Sequence, residues 1–262
     1  MSRTEQSDNV APTPATVQRN PDSMGKKLQL YSIGLLLLGL VTTTRAQQTI
    51  FNVSSSDITK EGKVLAQEQL EIQDMIRSTT TVSYGLSKDW EVGLNLYNLD
   101  FTRQKPHFIR NDTTTSIPFA PLLLVNAQKA FNLSQTFKIG IGGQGGLNLS
   151  SGRSQAVYFA YANLAASLIE EHYKLAVGSY NGNSRFLGDG PHTGIQAAVD
   201  AGLWYHKVHL LADWLSGSHQ LGQLSVGVEV FLGEHLPVAV GWQRSNQDGS
   251  QGLILQVTYT PQ

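Results

Sequence analysis

The chain contains no cysteine, which excludes disulfide bonds, thiolate metal ligands and a lipid anchor on a cysteine. Charge is also scarce, because Asp, Glu, Lys and Arg make up 15% of the 262 residues, against roughly 25% in soluble domains. The 19 basic and 20 acidic residues leave a net charge of −1. This balance lacks the basic excess typical of nucleic-acid binding, so we expect no nucleic-acid partner.

Hydrophobic residues reach only 40%, and neutral polar residues and the 25 glycines fill much of the remainder. Low charge together with modest hydrophobicity is unusual for a cytosolic enzyme. It suits a β-sheet that turns one apolar face to lipid and one polar face to water.

The amino terminus has the pattern of a secretory signal. Residues 1–23 are polar and lack an apolar period, which predicts a disordered extension. Lys26 and Lys27 then precede an apolar run of 14 residues, Leu28–Val41, and a cleavage site follows that ends at Ala46. Such a run fits a signal peptide and is short for a membrane helix, although an N-terminal anchor helix is the alternative.

We therefore predict two regions: an extension with a cleavable signal peptide over 1–46 (the signal being 24–46), and a mature domain over 47–262. The extension is explained either by a true start at Met24 or by a long region ahead of the signal.

The mature domain alternates apolar and polar residues with a period of two, as strands do. Strands are predicted at 63–74, 77–87, 90–103, 120–132, 135–149, 155–169, 173–181, 193–206, 208–216, 222–232, 237–244 and 252–260. Many are about ten residues long, which is the length that crosses a bilayer in a tilted barrel strand. A soluble β-sandwich would also alternate, so alternation alone does not decide between the two.

The connections between these strands favour a barrel. Alternate connections are tight turns, and most of the others are longer loops, notably 104–119 and 182–192. Outer-membrane barrels pair short periplasmic turns with longer outer loops and have an even number of strands. Several aromatic residues near strand ends are predicted to form the interfacial girdles: Tyr84, Trp90, Phe137, Tyr205, Trp214, Trp242 and Tyr259.

We thus predict an all-β fold: a closed, transmembrane, antiparallel β-barrel of about twelve strands. Its predicted location is the bacterial outer membrane. Its expected partners are outer-membrane lipid, small solutes, and the periplasmic chaperones and barrel-assembly machinery that act during biogenesis.

Several segments resemble porin-like outer-membrane barrels of Gram-negative bacteria. They are IFNVSSSDI (50–58), TTTVSYGLSKDWEVGLNLYNLDF (79–101), ADWLSGSHQLG (212–222) and VAVGWQ (238–243). Many members of that class are regarded as transporters, and one branch is linked to aromatic-compound degradation. The resemblance rests on barrel-building patterns, so it implies architecture more than substrate. The chain departs from the common pattern of a terminal aromatic residue, since Pro261 and Gln262 follow Tyr259.

Two eye-catching features are weighed against simpler explanations. The glycine-rich stretch Gly140–Gly146 lacks the strand–loop–helix context of a phosphate-binding loop. It is better explained by strand curvature or by close packing of a neighbouring segment.

The seven histidines are interpreted as solvated turn and loop residues, apart from His209, which shares a strand face with Asp213. No metal site and no cofactor are expected.

The polar face of the predicted strands supplies the candidate lumen residues. They are Glu91, Asn95, Lys138, Gln144, Asn148, Gln196, Asp200, Asp213, Glu229, Gln243 and Gln256. They would line either a pore that favours cations or neutral polar solutes, or a hydrogen-bonded plug that fills a narrow barrel.

The predicted function is a passive channel or porin-like transporter for small solutes, and not an enzyme. One alternative is a closed structural barrel whose outer loops (104–119, 182–192 and 244–251) bind partners. A third is a lipid hydrolase embedded in the barrel, for which Ser216, Ser218 and His219 lie near the outer rim. A catalytic triad needs an oriented nucleophile and base, and this sequence has no distinctive context for one.

Overall fold

The structure is a computed structural model that describes residues 49–102, 108–111, 117–149, 154–169, 172–204, 207–233 and 235–260. The predicted extension and signal peptide lie outside the described residues, as do Tyr205, His206 and His107. Within the described part of the chain, no helix is long and apolar enough to span a membrane.

Twelve long strands form the wall of the barrel: β3 (Val64–Ile72), β4 (Met75–Leu86), β5 (Trp90–Thr102), β7 (Leu122–Asn132), β8 (Phe137–Asn148), β9 (Ala156–Leu168), β10 (Tyr173–Gly182), β11 (Thr193–Trp204), β12 (Val208–Leu215), β13 (Gln223–Phe231), β14 (Pro237–Ser245) and β15 (Gln251–Tyr259). The described residues also form three short strands, β1 (Thr49–Ile50), β2 (Val53–Ser54) and β6 (Phe108–Ile109), and one short helix, α1 (Ser184–Leu187). The structure thus confirms a nearly all-strand fold.

The wall is an antiparallel meander that closes on itself. Each wall strand pairs with its neighbours in sequence, and β15 pairs with β3 to complete the ring. In that seam Leu255 lies opposite Leu70, and Gln256 lies opposite Gln69. Closure removes both sheet edges, so the backbone N–H and C=O groups of the wall are paired even where no water is present.

The pleat sorts the side chains into an apolar outer face and a polar inner face. Leu94, Val125 and Val240 point outward and are 56%, 61% and 54% exposed. Glu229 and Gln243 point inward and are fully buried. This arrangement is the reverse of that in a soluble barrel, because here the apolar side chains cover the outer surface and the polar side chains face the interior. It is the arrangement that a lipid environment requires.

The two ends of the barrel differ. At one end, here named the turn end, short turns join the strands. The first wall strand starts at this end with Val64, and the last wall strand ends there with Tyr259. At the other end, named the loop end, the connections are mostly longer, including residues 183–192 and 216–222. By the convention of outer-membrane barrels the turn end faces the periplasm.

The aromatic residues predicted to form girdles point outward close to the ends of their strands. Tyr84, Trp90, Phe137 and Tyr259 lie towards the turn end, and Trp214 and Trp242 lie towards the loop end. At the turn end, the ammonium group of Lys129 lies 5.5 Å from the ring centroid of Trp90. Amphipathic rings and long cationic side chains favour the level of the lipid headgroups.

The predicted strand count and a closed barrel are confirmed, and the predicted strand limits lie within a few residues of those observed. One expectation was wrong in detail. The first hairpin turns at residues 73–74, rather than at residues 75–76 between the predicted strands 63–74 and 77–87. Residues 50–58, which belong to the segments that resemble porin-like barrels, lie inside the wall, and their apolar residues are buried against its inner face.

A charge on the outer face tests which side meets lipid. We expect Val240→Arg to lower the free energy of unfolding in phospholipid vesicles by about 2–4 kcal/mol, because a guanidinium group would enter hydrocarbon. Ser250→Arg, in an exposed loop, is the matched control and should change it little. Denaturant titration followed by the heat-modifiable mobility of the folded band measures both. Equal effects of the two substitutions would contradict a lipid-facing outer surface.

Candidate functional site: the lumen

The first described residues of the chain enter the barrel. Residues 49–60, named the plug, begin with a small hairpin in which β1 pairs with β2 and Ile50 lies opposite Val53. Phe51 occupies the turn with a φ of 47°. Ile50, Phe51 and Val53 are at most 2% exposed, so the plug places apolar side chains inside a polar barrel.

Wall carboxylates bind the backbone of the plug. The Oδ2 atom of Asp213 accepts hydrogen bonds from the N–H groups of Asn52, at 2.5 Å, and Val53, at 3.0 Å. Farther along the plug, Glu91 accepts a hydrogen bond from the N–H of Thr59 at 2.8 Å. A buried backbone N–H group that has an acceptor avoids the cost of an unmade hydrogen bond, so these two acidic side chains fix the plug near both of its ends.

The plug also supplies a carboxylate of its own. Asp57 forms ion pairs with Lys138 of β8 and with Lys174 of β10, the second at 2.9 Å. The side-chain amide of Gln128 donates a hydrogen bond to the carbonyl oxygen of Asp57 at 2.9 Å. Side-chain exposures of 20% or less leave the two ion pairs only partly screened by water.

Glycines in the wall make room for the plug. A Cβ atom at Gly227 or at Gly241 would lie 2.7 Å from the ring of Phe51, a separation that packed carbon atoms do not tolerate. A Cβ atom at Gly140 would overlap Ser56. Gly140 belongs to the glycine-rich stretch, for which strand curvature and close packing of a neighbouring segment were the two expected explanations. At Gly140 the structure supports close packing, because the plug lies against it.

The wall beneath the plug contains polar atoms that have no hydrogen-bond partner among the described residues. On β12 to β15 these are His209 Nε2, Asp213 Oδ1, both carboxylate oxygens of Glu229, both side-chain polar atoms of Gln243, and Gln256 Oε1. Burial of a polar group without a partner costs about 1–3 kcal/mol, and more for a charged group. The plug therefore covers a surface whose polar groups it does not satisfy.

The remaining charged residues of the wall are mostly paired with each other. Asp200 Oδ1 lies 2.6 Å from His209 Nδ1, and Arg77 donates to Asp100 at 2.9 Å. His209 is 4% exposed, so it is a buried, paired side chain. No group of His, Asp and Glu side chains in the described ranges has the arrangement of a metal site.

A cavity of about 150 Å³ lies beside the plug. Asn95 donates to Gln144, and Asn126 donates to Asn95 at 2.7 Å, which forms a chain of amides along its surface. Among the described residues that line it, Glu91 is acidic and the other polar residues are uncharged: Thr49, Asn52, Ser54, Gln67, Gln69, Thr79, Thr81, Ser83, Asn95, Tyr97, Asn126, Gln128, Gln144, Tyr161 and Gln196. This lining can exchange hydrogen bonds with a neutral polar solute.

Helix α1 folds inward and closes part of the loop end. Its first turn is capped by Asn183, whose side chain accepts a hydrogen bond from the N–H of Phe186 at 3.2 Å. Phe119 donates its N–H to the carbonyl oxygen of Arg185 at 2.8 Å. Phe119, Phe186 and Leu187 are at most 1% exposed and form an apolar outer cap over the lumen.

His219 is part of the same region and is fully buried, which corrects its interpretation as a solvated loop residue. Its Nε2 atom lies 2.6 Å from the hydroxyl oxygen of Tyr180. Burial lowers the pKa of His219, and the nearby His192 lowers it further. The Tyr180 hydroxyl donates to the carbonyl oxygen of Ser216, so we assign the proton of this contact to His219, in its neutral form.

The serine–histidine pair required of a lipid hydrolase is not assembled from these residues. Ser216 Oγ accepts a hydrogen bond from the N–H of Ile195 at 2.8 Å, and Ser218 is exposed whereas His219 is buried. A serine nucleophile needs a base within hydrogen-bond reach. Here the histidine binds Tyr180, and the geometry gives Ser216 a structural role.

The structure places all eleven candidate lumen residues on the inner face. Four of them contact the plug, namely Glu91, Lys138, Asp213 and Gln256. Three more, Asn95, Gln144 and Gln196, line the cavity, and the other four, Asn148, Asp200, Glu229 and Gln243, are buried inside the barrel. Their role in permeation stays a prediction.

Sequence reasoning missed several residues of the site. Gln128, Asn163 and Lys174 face inward and hold the plug, and the alternation of β7, β9 and β10 was sufficient to identify them. No comparable signal in the sequence identifies the plug itself, because a short apolar segment fits a strand of the wall as well as it fits a segment inside the barrel.

The fold and the polar lumen define the class of protein as an outer-membrane β-barrel. Among solved structures the chain is similar to a KdgM porin in complex with disordered oligogalacturonate, with a TM-score of 0.54, 10% identity, and coverage of 76% of this chain and 99% of that chain. Another KdgM porin matches with a TM-score of 0.52, 13% identity, and coverage of 76% and 99%. A NanC porin matches with a TM-score of 0.52, 10% identity, and coverage of 76% and 100%.

These similarities establish a porin-like barrel fold at low sequence identity. No protein-family model matches the chain, and no curated protein sequence matches it. The link to aromatic-compound degradation therefore stays a prediction.

A thiol reporter tests how the plug is seated. Val53→Cys places a single cysteine at a position that is 0% exposed, in a chain that has no other cysteine. We expect Gly140→Ala to raise the rate of maleimide labelling at this position roughly tenfold, equivalent to about 1.4 kcal/mol, because the new methyl group overlaps Ser56.

The matched control is Gly145→Ala in the same strand, where the added Cβ atom meets its nearest neighbour at an ordinary 3.5 Å. Heat-modifiable mobility verifies that each variant is folded. A labelling rate that Gly140→Ala leaves unchanged would show that the plug is not seated against β8.

Proposed function

We propose that the chain is a passive channel of the bacterial outer membrane for small solutes, and that the plug closes it in this conformation. Solutes would pass through the lumen once residues 49–60 leave their place against the wall. The channel would use no cofactor. Its entry into the membrane would depend on periplasmic chaperones and the barrel-assembly machinery.

The observation that carries this proposal is the polar wall beneath the plug. Glu229 and Gln243 are fully buried, and their side-chain polar atoms have no protein partner among the described residues. Permanent burial of such groups is costly, whereas water in an open lumen would hydrate them. A wall with this composition is suited to contact with water, and the plug is then a segment that can be displaced.

The charge of the wall supports a preference among solutes. More acidic than basic residues face inward from the described strands. The six acidic residues are Glu71, Glu91, Asp100, Asp200, Asp213 and Glu229, and the three basic residues are Arg77, Lys138 and Lys174. When water fills the lumen and these groups ionise, the excess of acidic residues favours neutral polar solutes and cations over polyanions. The uncharged lining of the cavity favours the same solutes.

The similar solved structures support channel function through their fold alone. One of them is a KdgM porin in complex with disordered oligogalacturonate, which is an acidic oligosaccharide. The acidic excess in this lumen argues against carrying that ligand over to this chain.

Two rival functions have less support. A closed barrel that binds partners through its outer loops is favoured by the apolar outer cap, but it does not explain the unsatisfied polar wall. A lipid hydrolase would need His219 to contact a serine hydroxyl, and His219 contacts Tyr180 instead. We therefore propose no enzymatic activity.

Conductance in planar bilayers tests the proposal. The full mature chain should conduct rarely. A double variant, Asp57→Asn with Asp213→Asn, should show frequent stepwise openings, because it weakens both the ion pairs and the carboxylate contacts that hold the plug. Deletion of residues 47–60 together with Phe186→Ala should give the largest and longest openings, since it removes the plug and thins the outer cap.

Lys129→Gln serves as the control, because it removes a charge from the outer face and leaves the lumen unchanged. Variants are compared only where heat-modifiable mobility shows a folded barrel. Absence of conductance in the folded double variant and in the folded deletion variant would refute the channel and favour a closed structural barrel.

A further inference from the structure

Two lysines of the wall and one carboxylate of the plug meet inside the lumen. Lys138 and Lys174 converge on the carboxylate of Asp57, each ammonium group meeting a different oxygen. The side chains of Lys174 and Asp57 are 8% and 20% exposed. Two cations that share one carboxylate in a partly dehydrated lumen form a site with the chemistry of an anion receptor.

The wall is shaped so that the two lysines can meet. They stand on β8 and β10, which are separated by β9, and the residue opposite Lys138 on β9 is Ala165. The residue opposite Lys174 on β9 is Ser167, two positions beyond Ala165. Adjacent strands are about 4.8 Å apart, so the two lysines lie roughly twice that distance apart across the sheet, with the small residues Ala165 and Ser167 of β9 between them. Larger side chains there would separate the ammonium groups.

We propose that Lys138 and Lys174 form a binding site for the carboxylate group of a small solute, and that Asp57 occupies this site in the closed channel. A solute that brings its own carboxylate takes the place of Asp57. The plug then loses its ion pairs, and the lumen opens. The inference rests on the proposed mobility of the plug, but it does not depend on conduction.

The surroundings limit the ligand to a single negative charge. Asp200 lies directly opposite Lys174 on β11, and Glu229 lies opposite His209 on the next pair of strands. A second carboxylate on the solute would approach these acidic groups and be repelled. The expected ligands are therefore small monocarboxylates. The affinity is expected in the millimolar range, because Asp57 competes from within the same chain at a high effective concentration.

The Val53→Cys reporter tests this site. Maleimide labelling of the detergent-folded chain is measured in sodium acetate and in sodium chloride at equal ionic strength, and in chloride with acetamide added. Acetamide has the shape of acetate without its charge. We expect acetate to raise the labelling rate in proportion to its concentration, up to roughly tenfold at ten times the dissociation constant of acetate from the two lysines. Acetamide should have no effect.

The variants separate the site from general effects of salt. Lys138→Gln and Lys174→Gln should each abolish the difference between acetate and chloride, although each raises the basal labelling rate by removing an ion pair. Lys129→Gln, on the outer face, should preserve the difference. Asp57→Asn should raise the basal rate and make it insensitive to acetate, because the plug no longer competes for the lysines.

The outcomes that would overturn the inference are distinct from those that would overturn the channel. Labelling that proceeds at the same rate in acetate, chloride and acetamide would refute the carboxylate site and leave a mobile plug. Absence of labelling under every condition, with full labelling in denaturant, would show that the plug does not move. That result would contradict both the site and the proposed opening of the channel.

Discussion

The requirement that every backbone polar group find a partner away from water governs this structure. A meander of twelve strands meets it only by closing, and closure rests on one seam, where β15 pairs with β3. Once the ring is closed, the pleat leaves each side chain on the lipid face or on the lumen face. The alternation of the sequence, the outward position of Leu94 and Val240, and the polar interior all follow from that seam.

The interior satisfies a second and opposing requirement. A lumen built for water has polar walls, but the plug brings Ile50, Phe51 and Val53 into it. Its attachment therefore depends on a few strong contacts: the backbone hydrogen bonds to Asp213 and the ion pairs of Asp57. Apolar packing against Gly227 and Gly241 adds to them. The balance between these contacts and the unsatisfied wall sets how firmly the lumen is closed.

The wall was predictable from sequence because a period of two in hydrophobicity is a direct consequence of strand geometry. Inward residues such as Glu91 and Asp213 followed from the same period. The plug was not predictable, because IFNVSSSDI has the local pattern of a strand, and only its long-range contacts place it inside the barrel. The pairing of Asp57 with Lys174 joins residues 117 positions apart. The burial of His219 likewise depends on Tyr180, 39 positions away.

The position of the plug in the chain has a consequence for folding. Residues 49–60 precede every wall strand, yet they contact residues as distant as Gln256, at a separation of 207 positions. Contacts of such high sequence separation form slowly, because a large loop must close before they stabilise anything. The strand that completes the ring, β15, is the last of the twelve wall strands, so closure of the ring also encloses the plug. A ring that closed before the plug was in place would enclose a different interior.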